Sequence, residues 1–112
     1  LYARPGVDAP LRAAVEALLA PTGATLWVDR EADLDAVTAL SGSGPAYVFL
    51  FIEALMDAAR DMGLTPEQGR ALALGTFSGA TALAAQSAEP PSVLRERVTS
   101  RGGTTHAALV AM

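Results

Sequence analysis

Cysteine is absent from this 112-residue sequence, and so is lysine. Without cysteine there is no disulfide framework and no thiolate metal site, which is compatible with a reducing compartment. Without lysine there is no Walker-type phosphate loop. Histidine occurs once, at His106, and has no partner at metal-ligand spacing, so no metal is expected. The eight basic residues, all arginine, are scattered over a chain of net charge −4, which argues against a nucleic-acid surface. Charge is missing from two long runs, Ala36 to Ile52 and Ala71 to Ala88. A Gly-Ser turn is expected to interrupt the first, and the second holds as much Ala, Gly, Thr and Ser as Leu. Neither meets the need of a membrane helix for ~20 strongly apolar residues, so no membrane partner is expected. The start lacks the basic and apolar regions of a signal peptide. Both ends are abrupt, and the chain is expected to be an excerpt from a longer protein.

What is present is globular in composition, at 51% hydrophobic and 18% charged. Residues 8 to 20 carry apolar positions at helical spacing, with Asp8 as N-cap and Pro10 in the first turn. Pro21-Thr22-Gly23 stops that helix, and Thr25-Leu26-Trp27-Val28 reads as a short strand. This is the tail of an α/β domain in miniature. From Glu31 onward the pattern is helical. Asp33 to Leu40 is expected to be a short helix ended by Ser41-Gly42-Ser43-Gly44, and Pro45 opens a long one to Met62 with Gly63 as its stop. Thr65-Pro66-Glu67-Gln68 starts the next, which runs to about Gln86, and Pro90-Pro91 starts a shorter helix through Arg97. The fold class is mainly α, preceded by strand-helix-strand.

A helix apolar on nearly all sides must be covered on nearly all sides, and a domain this small cannot cover two. A second copy of the chain is the expected cover. Gly75-Thr76-Phe77-Ser78-Gly79 places glycines one turn apart, flattening a helix face for close approach by another backbone. Intramolecular packing is the plainer alternative.

The richest motif is Val98-Thr99-Ser100-Arg101-Gly102-Gly103-Thr104-Thr105, set just before the apolar run Ala107 to Met112. Its glycines permit a tight turn and close approach. Its hydroxyls can cap the following helix. Free N–H groups at that helix start suit a small anion such as a carboxylate. Gly42-Ser43-Gly44-Pro45-Ala46-Tyr47 is not a dinucleotide fingerprint, because Tyr47 holds the third glycine position and helix precedes it. Ser41–Pro45 reads either as a helix-entry loop whose amides face a ligand or as a plain connector. Glu53, Asp57 and Asp61 form a solvated helix face. His106 is a weak candidate for acid–base work.

Asp35 through Tyr47, Glu53-Ala54-Leu55, and Val98-Thr99-Ser100 with Gly102-Gly103-Thr104-Thr105 together resemble pyrroline-5-carboxylate reductase. That resemblance covers nearly the whole chain. It implies that residues 1–30 end a Rossmann nucleotide-binding domain and that 31–112 form most of a helical dimerisation and substrate-binding domain. It also implies a cytoplasmic enzyme, a homodimer or a ring of dimers, that reduces 1-pyrroline-5-carboxylate to proline with NADPH or NADH in the last step of proline biosynthesis. Ser100, Gly102, Gly103 and Thr104 match the loop that holds the substrate carboxylate. Thr105 matches the catalytic threonine that hydrogen-bonds the imine nitrogen. Ser41, Gly42, Ser43 and Gly44 match a loop at the base of the site, on the cofactor side. Arg101 stands where the family usually has Pro, and His106 where it usually has an aliphatic residue. The alternatives are a similar reductase acting on another small imine and a non-enzymatic helical dimerisation module. A hydroxy-acid reductase would carry a catalytic lysine in the helical part, and none is present.

Overall fold

The computed structural model describes residues 1–111; Met112, the expected end of the last helix, lies outside the described residues. The chain divides into two compact units, Leu1–Leu50 and Phe51–Met112. Its described residues are mainly α-helical.

In the first unit, helix α1 spans Ala9–Leu19. Asp8 caps it as expected, accepting from Leu11 N–H at 3.0 Å, with Pro10 in the first turn where no donor is lost. A 3-10 turn, Ala20–Thr22, and Gly23 at φ 138° end it. The expected strand at Thr25–Val28 is not formed among the described residues. A parallel strand needs successive pairs along a neighbour. Here only Tyr2 and Val28 pair, through Val28 N–H to Leu1 O at 2.8 Å. The expected strand-helix-strand is thus reduced to one bridge flanking α1. Trp27 ties this piece to α1. Its Nε1 donates to the Glu16 carboxylate, and the Arg12 guanidinium carbon lies 5.2 Å from its ring centroid.

Helix α2, Asp33–Val37, starts beside an Arg30–Asp33 ion pair. That contact holds the Asp33 carboxyl below its usual range and the Arg30 guanidinium above its own, in both cases first through the hydrogen bond they share. The Gly-Ser segment does not break the helix as expected. It widens it. Thr38–Gly42 form a π-helical turn, with Ser43 N–H bonded to Thr38 O at 2.9 Å, and α3 follows over Gly44–Asp61. Val37, Thr38 and Ser43 all keep right-handed helical angles. The stretch Asp33–Asp61 is therefore one helical path, and by length and composition alone it could cross a membrane (mean hydropathy 1.3).

The second unit takes the later turns of α3, then α4 (Pro66–Gln86), α5 (Pro91–Arg97) and α6 (Thr104–Ala111). Gly63, at φ 87°, stops α3. Its N–H reaches Arg60 O at 2.9 Å, while Leu64 N–H reaches Ala59 O at 3.0 Å. These two bonds form the Schellman pattern that a left-handed glycine makes possible. Thr65 and Gln68 form the expected capping box, with reciprocal bonds of 3.2 and 2.9 Å.

Between α3 and α4 the contact is made by small residues. Ala59 and Ala73 are the buried hydrophobic residues, and a Cβ on Gly69 would stand 3.1 Å from the Ala59 Cβ. The Phe51 and Phe77 rings meet with centroids 6.4 Å apart. Pairing of 51 with 77 and of 59 with 69 makes the two helices antiparallel. Outside this seam and the groove that Ala80, Leu83 and Ala84 share with α5, α4 is exposed. Leu72 is 59% exposed, and Gly75 and Gly79 face open space.

Candidate functional site

Five of the residues singled out in the sequence converge on the junction between α5 and α6. Helix α5 ends at Arg97, which an ion pair with Glu89 ties back to the segment before the helix. The Thr99 hydroxyl then donates to Arg95 O at 2.6 Å, and Thr99 N–H to Glu96 O at 3.0 Å. These bonds fix where the following turn begins.

Ser100 to Gly103 form a β-turn closed by Gly103 N–H to Ser100 O at 3.1 Å. Gly102, its third residue, has φ +70°, the sign a type II turn demands at that place. Gly103 serves the turn for a different reason. A Cβ there would stand 2.4 Å from the Ser100 Oγ and 3.3 Å from the Ser100 carbonyl oxygen. The Ser100 hydroxyl thus lies over the bare face of Gly103, at the mouth of α6.

The first helical bond of α6 is Ala107 N–H to Gly103 O at 3.1 Å. The amides of Thr104, Thr105 and His106 accordingly have no acceptor among the described residues. Such donors, with the positive end of the helix dipole behind them, suit a small anion. Thr105 and Gly103 are half-buried, whereas Ser100, Arg101, Gly102, Thr104 and His106 are exposed. His106, unlike Thr105, lines a shallow groove of about 380 Å³ with Arg95, Glu96, Thr99, Leu109 and Val110. No metal-binding cluster exists among the described residues.

The Ser41–Gly44 segment belongs to the other unit. Its donors are largely used: the Ser41 hydroxyl donates to Val37 O at 2.8 Å, and Ser43 N–H to Thr38 O. Ser41 lines a groove of about 510 Å³ with Leu19, Thr22, Leu26, Val37 and Leu40. The sequence reading missed this wide turn. Its signal was present, a proline just beyond a helical run, but Gly-Ser-Gly composition pointed to a loop.

The sequence pattern for pyrroline-5-carboxylate reductase dimerisation matches residues 31–112. The chain belongs to this family. It is 48% identical over 109 residues to the pyrroline-5-carboxylate reductase of Pseudomonas aeruginosa, covering 97% of this chain and 40% of the relative. It is similar in structure to a pyrroline-5-carboxylate reductase from Coxiella burnetii, with TM-score 0.92, 39% identity, and 98% and 41% of the two chains covered. It is likewise similar to the Plasmodium falciparum pyrroline carboxylate reductase with NADP bound, with TM-score 0.86, 34% identity, and coverage of 96% and 43%. The chain therefore spans about 40% of the length of the reductases it matches.

Proposed function

We propose that this chain is the dimerisation and substrate-binding part of an enzyme that reduces 1-pyrroline-5-carboxylate to proline with NADPH or NADH. One observation carries the reading: a glycine turn that delivers free backbone donors and hydroxyls to the start of α6. In this scheme the amides of Thr104 and Thr105 and the Ser100 hydroxyl bind the substrate carboxylate, with Gly102 and Gly103 letting it come close. The Thr105 hydroxyl hydrogen-bonds the imine nitrogen and holds it where a proton must arrive. The cofactor, when bound, supplies hydride to the neighbouring carbon. The chain's contribution is orientation, which aligns that carbon for transfer.

The residues present hold no glycine-rich strand–turn–helix for a dinucleotide. Cofactor binding is assigned mainly to residues outside this sequence, with Ser41, Gly42, Ser43 and Gly44 on the cofactor side. Residues 1–30 are assigned to the end of that nucleotide domain and 31–112 to the helical one. A homodimer, or a ring of dimers, would cover the bare face of α4 and the apolar Asp33–Asp61 path. The cysteine-free sequence suits the cytoplasm. By itself the chain is expected to be inert.

The test is steady-state kinetics on the full-length protein. It should reduce the cyclic imine, and Thr105→Ala should lower kcat by about 100-fold, in the range for a positioned group at the reacting atom. Full activity in Thr105→Ala, or no imine reduction by the parent, would contradict the assignment.

A further inference from the structure

The wide turn at Thr38–Gly42 has a local cause in Pro45. Proline has no N–H, and in an α-helix its ring meets the carbonyl four residues back, here that of Ser41. A regular helix from Asp33 through Pro45 would press the two together. The chain opens one turn instead. Ser43 N–H passes to Thr38 O, five residues back, and Ala46 N–H goes to Ser43 O at 3.0 Å, three residues back. Gly44 lets the path stay helical, because it has no Cβ to meet the proline ring. Gly42 fits the same turn. A Cβ there would lie 3.3 Å from the Thr38 Cγ2, and Thr38 is held by its hydroxyl bond to Leu34 O at 2.8 Å.

Val37, Leu40 and Ser41 lie on one helical face, and all three line the 510 Å³ groove. We propose that Pro45 is a positioning residue: by forcing the wide turn, it sets the rotation of Leu40 and Ser41 and so the wall they give this groove. Closing the turn to α geometry would remove one residue from it. The segment before the turn would rotate by about 100° relative to α3, and Ser41 would leave the groove. The link from this wall to turnover rests on the proposed function, in which Ser41–Gly44 serve the cofactor side.

The experiment uses the full-length protein with Pro45→Ala, read by crystal structure, kinetics and thermal melting. The substitution supplies a donor for the Ser41 carbonyl. Expected are a regular α turn in place of the wide one and Ser41 out of the groove. With this, kcat/KM should fall by roughly 10- to 100-fold, the scale of a misplaced site group, and the melting temperature should not fall. A merely structural role predicts activity and melting temperature falling together. The wide turn surviving in Pro45→Ala, or full activity in an α-helical variant, overturns the proposal. If that variant does not fold, Gly42→Ala decides. It should lose activity, and Thr38→Ser, which removes the methyl and keeps the hydroxyl, should restore it; failed rescue overturns the proposal. A parent that reduces no imine sinks the enzyme assignment, whereas the Pro45→Ala crystal structure still decides what shapes the turn.

Discussion

Two adjacent glycines carry the α5–α6 junction, for separate reasons. Gly102 supplies a positive φ, and Gly103 leaves room for the Ser100 hydroxyl. Arg101 is the second residue of the same turn, a place that suits proline. Its N–H makes no bond among the described residues, and its φ is not positive. Arg101→Pro is therefore expected to keep the turn and raise stability by about 0.4–1 kcal/mol through the unfolded state. Thermal unfolding of the full-length protein checks this, and a lower melting temperature would show that the turn needs the arginine. At this scale the sequence was informative. Hydroxyls and glycines before an apolar run announced a helix start with free donors. The division of labour between Gly102 and Gly103 was not legible, because it depends on a dihedral sign and a 2.4 Å approach.

The helices show the same mixture. Asp8 and Thr65 with Gln68 start their helices, and Gly63 ends one, where their chemistry says they should. These signals are local, so they survive without knowledge of packing. Thr25–Val28 failed as a strand because strands depend on neighbours, and composition does not supply one. The Ser41–Gly44 segment failed as a loop because proline's steric demand was met by widening a helix rather than ending it. The α3–α4 seam tests the packing account. A side chain at Gly69 would meet Ala59 and the Met56 backbone. Gly69→Val should thus cost about 1–3 kcal/mol by overpacking, read as a lower denaturation midpoint. An unchanged midpoint would mean the two helices do not need this close approach.

At the scale of the whole chain, apolar surface is left uncovered in both units. Large apolar side chains such as Phe49, Leu50, Leu72 and Leu83 are more than half exposed. Composition indicates too much apolar helix for one copy to cover, and the homodimer proposed above would cover that surplus. Gly75 and Gly79 offer a flat face on α4 with nothing within 4 Å of an added Cβ. Gly79→Leu leaves the chain's own packing intact and blocks close approach by another backbone. Sedimentation of the full-length protein should then shift from dimer to monomer, and intact dimers would remove this face from the interface.

The central claim is that the start of α6 grips a compact carboxylate. Calorimetric titration of L-proline into the full-length protein and its Gly103→Ala variant tests it most directly. Saturable binding is expected for the parent, weakened by roughly 10- to 100-fold in the variant, the worth of one hydrogen bond to a charged group, at unchanged melting temperature. No binding to the parent, or equal binding to both proteins, would contradict it.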